Sequence, residues 1–153
     1  MAMNLRPAIP ADVPQISAFL TRLTELGIRT RPSDEDFVLN YYVNGQQNIQ
    51  CTVAEEDGTI LGFQCLQTAA EGNEFGVTPG WGIIGTHVNP DTARRGVGRA
   101  LFPATLQAAQ EAGLTDIDAS IGADNPGGLG YYEAMGFRTY RTPAGKICKR
   151  YQL

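Results

Sequence analysis

A basic turn with two glycines stands where an apolar strand end passes into a helix: Val88-Asn89-Pro90-Asp91-Thr92-Ala93-Arg94-Arg95-Gly96-Val97-Gly98-Arg99-Ala100-Leu101. Glycine lets a backbone approach an anion closely, successive N–H groups can point at its oxygens, and the helix start adds partial positive charge. Arg94, Arg95 and Arg99 add whole charges. The stretch has the build of a pyrophosphate cradle. Two rival phosphate motifs do not fit. Leu101 stands where a dinucleotide fingerprint starting at Gly96 needs a third small residue, and no Gly-Lys-Ser or Gly-Lys-Thr occurs.

Further along, Asn125 is a natural helix cap and Pro126 a natural first helical residue, with Gly136 as the stop after Met135. On such a helix positions 125, 129 and 132 share a face, so Tyr132 looks the same way as Asn125 while Tyr131 is turned about 100° away and packs. A phenol with an ordinary pKa near ~10 is neutral at pH 7 and has a proton to give. His87 is the only histidine, which excludes a multi-histidine metal site within one chain. Strand alternation puts it opposite Gly82, Ile84 and Thr86, as a packed residue. Cys51, Cys65 and Cys148 are odd in number and far apart, the pattern of reduced structural thiols. Arg29 and Arg31 offer guanidinium forks that suit a carboxylate. Trp81, Tyr41 and Tyr42 read as core or interface.

The elements that must position these groups follow from periodicity. Residues 5–9 form a first strand, and Pro10-Ala11-Asp12 caps a helix with Val13, Ile16, Phe19, Leu20 and Leu23 on one face, ended by Gly27. Ser33 with Asp36 opens a second helix carrying Phe37, Val38 and Tyr41, closed by Gly45. Two strands, 49–55 and 59–69, flank Asp57-Gly58, the favoured tight-hairpin pair. Residues 72–80 form a loop or an irregular strand end, and 81–88 a strand that Gly82 and Gly85 weaken or in which they invite a bulge. The helix after the cradle turn presents Leu101, Ala104, Thr105, Ala108 and Ala112, with Pro103 bending its first turns and Gly113 ending it. Ile117, Ala119 and Ile121 alternate as a strand, and 137–141 with 146–151 close the chain as an antiparallel hairpin. This order predicts a mixed α/β sheet.

With 153 residues, 42% apolar and 18% charged, the chain reads as one folded domain spanning residues 1–153. Its net charge of -4 argues against a nucleic-acid or anionic-membrane surface, so the arginine cluster is a local exception aimed at something small and anionic. No apolar run approaches a membrane span, and the start has no basic segment followed by an apolar one, so a cytoplasmic location is expected.

Residues 88–101, together with Asn125-Pro126-Gly127-Gly128-Leu129-Gly130-Tyr131-Tyr132-Glu133-Ala134-Met135-Gly136-Phe137 and the start Leu5-Arg6-Pro7-Ala8 followed by Asp12, resemble the GCN5-related N-acetyltransferase superfamily. The resemblance implies a central, twisted, mostly antiparallel sheet of about six to seven strands flanked by about four helices, with strands splayed at the acetyl-coenzyme A site. It implies acetyl-coenzyme A as cosubstrate, no metal, and direct attack by a small-molecule amine in a ternary complex. Two alternatives stay open: a protein amine as acceptor, and a non-catalytic acyl-coenzyme A binding domain. A homodimer is implied as well.

By the same resemblance, Thr86, His87 and Val88 offer backbone amides to the thioester and pantetheine. Arg94, Arg95, Gly96, Val97, Gly98, Arg99 and Ala100 hold the pyrophosphate, Asn125 lies at the cofactor, and Tyr132 protonates the departing thiolate. Two positions depart from the pattern. Ala93 stands where Gln or Arg is usual, and Gly82 where members often place a Glu base, leaving His87, Glu74 or a water chain for that role.

Overall fold

The computed structural model describes residues 3–92 and 96–153; three residues of the cradle turn, Ala93, Arg94 and Arg95, lie outside them. The chain opens with β1 (Asn4–Pro7), a single 3-10 turn at Pro10–Asp12 and α1 (Val13–Glu25). Asp12 ties this start together. Its carboxylate takes two hydrogen bonds from Arg6, each 2.8 Å, and one from the Ile9 amide at 2.9 Å. Val13, Ile16, Phe19, Leu20 and Leu23 are all buried, as their spacing predicts, and Gly27 ends the helix with φ of 76°.

The second helix departs from expectation. Asp34, not Ser33, caps it by accepting from the Phe37 amide, and α2 (Glu35–Phe37) is one α turn that runs directly into a π-helical segment, Val38–Val43. The wider winding keeps Val38, Tyr42 and Val43 buried together. The central hairpin is as read: β2 (Asn48–Glu56) and β3 (Thr59–Thr68) join through Asp57 and Gly58, both at positive φ. β4 (Gly82–Val88) pairs with β3 in unbroken register, so neither Gly82 nor Gly85 makes a bulge. α3 (Val97–Glu111) buries Val97, Leu101, Phe102, Thr105, Ala108 and Ala109, whereas Ala112 lies past its end and is exposed. Then come β5 (Asp116–Gly122), α4 (Pro126–Met135), β6 (Arg138–Arg141) and β7 (Lys146–Gln152).

The strands form one seven-stranded sheet in the order β1-β2-β3-β4-β5-β7-β6. β4 and β5 are its parallel pair; the other neighbours are antiparallel. The expected mixed, mostly antiparallel sheet is therefore present. Two cores flank it. Phe19, Leu20 and Tyr42 pack with Phe63 and Cys65 on one side, and Phe102, Tyr132 and Phe137 with Leu66, Ile84 and Ile117 on the other. Among the described residues no helix is long and apolar enough to cross a membrane.

Candidate active site

Parallel neighbours β4 and β5 share only two register pairs, Gly82 with Ile117 and Ile83 with Asp118. Beyond them the strands part. Which main-chain groups face the gap follows from the antiparallel ladder on the other side of β4. The Asn89 amide donates to Leu61 and the Trp81 carbonyl accepts from Ala69, so odd-numbered residues of β4 turn their peptide groups to β3. Thr86 and Val88 therefore turn theirs toward the side that β5 has left. His87, expected to offer an amide there, directs it into the β3 ladder.

On the helical side of β4, four elements are stitched together by hydroxyl groups. The Gln64 amide donates to Thr86 Oγ1 at 2.9 Å and to Tyr131 Oη at 3.0 Å. Tyr131 donates to the Gly98 carbonyl at 2.7 Å, and the Thr86 and Tyr132 hydroxyls are 2.8 Å apart. Tyr132 is buried, which drives its phenol well above the ordinary value, against the opposing pull of the Thr86 hydrogen bond. Gly96 takes the left-handed conformation at φ of 67° immediately before α3. Gly98 needs its missing side chain for another reason: a Cβ there would lie 2.7 Å from the Tyr131 ring. Asn125 Oδ1 accepts from the Gly128 amide at 3.0 Å and so caps the helix that carries both tyrosines. Arg99 is exposed on the first turn of α3, and Val97 is buried against Leu61 and Leu101.

The opposite face holds a cavity of about 120 Å³, with Arg31, Tyr41, Phe75, Gly85, His87 and Ser120 in its walls. The His87 ring lies against Phe63 at 4.9 Å and Tyr42 at 5.4 Å between centroids. Burial, with the Arg29 and Arg31 cations nearby, lowers its pKa to about 3. The two loop arginines separate. Arg29 is buried and spends Nη2 on the Pro32 carbonyl at 2.7 Å and the Tyr42 hydroxyl at 3.0 Å. Arg31 reaches the cavity and bonds Glu74 through Nη1 at 2.6 Å.

Ser120 is backed by a buried carboxylate. It donates to Asp118 Oδ1 at 2.8 Å, while Tyr140 donates to Oδ2 at 2.5 Å, and burial raises the Asp118 pKa. Cys51, Cys65 and Cys148 are free and buried. Burial lifts the Cys65 thiol to about 12, so it does not supply a thiolate at neutral pH. At Gly82 a Cβ would lie 2.8 Å from Leu114 and 3.0 Å from Leu66. The core therefore fills the place where a carboxylate is usual.

A family model described as "Acetyltransferase (GNAT) family" matches residues 17–137. The chain belongs to the GNAT acetyltransferase family. Among curated relatives, the mycothiol acetyltransferase of Clavibacter michiganensis is 36% identical over 84 residues, covering 55% of this chain and 25% of that protein. The enzyme of the same name from Streptomyces coelicolor is 33% identical over 90 residues, covering 59% and 27%. The chain thus spans about a quarter of the length of these relatives. A GCN5-related N-acetyltransferase from Kribbella flavida has the same fold at a TM-score of 0.82 and 23% identity, covering 99% of this chain and 98% of that one. The PaiA N-acetyltransferase of Thermoplasma acidophilum, solved with coenzyme A, superposes at 0.79 with 15% identity over the whole of both chains.

Within this GNAT fold, Thr86, Val88, Gly98 and Tyr132 converge on the helical side of the parting, while His87 stands on the cavity side. Sequence reasoning missed Gln64, which bonds Tyr131 and the Thr86 hydroxyl that Tyr132 meets, and the Asp118, Ser120 and Tyr140 cluster. A glutamine inside the apolar run of β3 and an aspartate inside that of β5 were the available signals, since buried polar groups need partners.

Proposed function

We propose that this protein is an acetyl-coenzyme A-dependent N-acetyltransferase that acts on the primary amine of a small molecule by direct attack in a ternary complex. One observation carries the reading: beyond Ile83, β4 has a hydroxyl-lined face toward α3 and α4 and a cavity on the other, with alternate peptide groups, those of Thr86 and Val88, turned into the gap left by β5. Donor and acceptor can thus meet across one strand. The amides of Thr86 and Val88 suit the thioester carbonyl and pantetheine. The turn at Gly96, Val97, Gly98, Arg99 and Ala100, with Arg94 and Arg95, suits the pyrophosphate.

In the reaction the amine nitrogen bonds to the carbonyl carbon, charge develops on its oxygen, and the carbon–sulfur bond breaks. Tyr132 is the acid for the departing sulfur. Thr86 accepts from Gln64 and can donate its hydroxyl hydrogen bond to Tyr132 Oη, which leaves the Tyr132 O–H free to point at the sulfur. Asn125 acts by capping α4 and so fixing Tyr132. His87, with a pKa of about 3, is a wall and a poor base. The amine proton leaves through Glu74 or water. In this reading residues 1–153 form one cytoplasmic domain that works as a homodimer.

A second reading has one observation in its favour: the filled space at Gly82 leaves no room for the usual carboxylate, as in a domain that binds acyl-coenzyme A without turnover. Thiol release from acetyl-coenzyme A, followed across a broad panel of small amines, separates the two. Turnover with a small amine is expected, and tight coenzyme binding without turnover across the panel would favour the second reading.

A further inference from the structure

We propose that the acceptor is a small amine that also bears a carboxylate, held by Arg31. The inference rests on the N-acetyltransferase reading and adds the chemical class of its second substrate. Among the described residues Arg31 is the one charged side chain in the cavity wall, since His87 is held neutral and the remaining lining groups are uncharged.

Its guanidinium is placed by aromatic rings, with Cζ 4.9 Å from the centroid of Tyr41, 5.2 Å from Phe75 and 5.5 Å from Phe37. Such a cation is oriented before any ligand arrives. Of its nitrogens, Nη1 is used by Glu74, whose side chain is 63% exposed. Among the described residues Nε and Nη2 have no hydrogen-bond partner. Those two form the side edge of the guanidinium fork, the edge that takes a carboxylate with two parallel bonds.

The rest of the cavity sharpens the class. Among the described residues no acidic side chain lines it and the nearby Glu74 is engaged by Arg31, so a second ammonium would meet the Arg31 cation. Di- and polyamines are thereby disfavoured. Arg29, the other candidate, is buried beside Pro32 and Tyr42 and does not line the cavity, so the carboxylate contact falls to Arg31. A volume of about 120 Å³ suits a compact amino acid.

The test uses matched acceptors: glycine, alanine, methionine and glutamate, each beside its carboxamide, with 1,4-diaminobutane as the cationic control. Thiol release is measured for the wild type, Arg31→Gln and Arg31→Lys, with circular dichroism and melting checks on each variant. For at least one pair the wild type should favour the carboxylate about tenfold or more in kcat/KM. Arg31→Gln should bring that ratio near one, chiefly through a KM rise of about ten- to hundredfold, and Arg31→Lys should restore only part of it. Wild-type preference for carboxamides or the diamine, or equal loss on both members of a pair in Arg31→Gln, would overturn the inference.

A binding arm separates its failure from that of the enzyme reading. With coenzyme A present, the N-acetyl forms of these amino acids should raise the wild-type melting temperature more than the N-acetyl carboxamides do, and Arg31→Gln should remove the difference. That result without turnover would keep the Arg31 site and sink the catalytic reading. No difference in the wild type would sink the Arg31 site.

Discussion

A phenol can act as an acid only if it keeps its proton until the leaving group needs it, and burial would arrange this at Tyr132 in its proposed role. Raised well above the ordinary phenol range, it stays protonated across the alkaline pH values at which free amines are abundant. Activity should therefore show no alkaline decline arising from Tyr132. Removing its hydroxyl should cost far more than removing the His87 ring: Tyr132→Phe is expected to lower kcat about 100-fold or more, His87→Ala much less. Steady-state kinetics with acetyl-coenzyme A and an acceptor found in the amine screen decide the order, and a larger loss in His87→Ala would reverse the assignment.

Among the elements, the first turn of α3 and the middle of α4 depend on each other. Tyr131 packs its ring where a Gly98 side chain would be and bonds the Gly98 carbonyl. Gly98→Ala should push that ring aside, lowering stability by about 1–3 kcal/mol and weakening coenzyme A binding. Denaturant unfolding and calorimetry check both. How much of this could be read beforehand varied with range. The Asp57-Gly58 turn and the Asn125 cap were legible because both are set by residues a few positions apart. The π-helical segment was not, because its wider winding answers to the packing of Tyr42 on Phe63. Nor does spacing show that Arg29 turns into the core and Arg31 into the cavity, since they stand two apart in a segment without periodicity. Gly82 read as a weak point in a strand; its reason is Leu114, thirty-two residues away.

At the scale of the molecule, the sheet edge and the first helix are joined through charge. Arg6 bonds Asp12 at the start of α1 and Glu55 on β2, and its guanidinium holds the Asp12 carboxyl below its ordinary value of 3.8, against burial. A depressed carboxyl contributes stability above its unfolded pKa and loses it as pH falls through the folded one. Arg6→Ala should therefore cost about 2 kcal/mol at pH 7, and the gap to wild type should shrink on acidification below about pH 4. Urea titrations over that range measure it; a gap independent of pH would show that the arginine acts through packing alone.

The strand between the two candidate substrate sites carries one last consequence. Thr86 serves the helical side and His87 the cavity, so the two roles are separated only by the alternation of neighbouring side chains along β4. A one-residue slip of β4 against β3 would exchange them, turning the threonine into the cavity and the imidazole toward Tyr132. For this protein, correct pairing of one edge during folding is then a condition of the proposed catalysis as well as of stability.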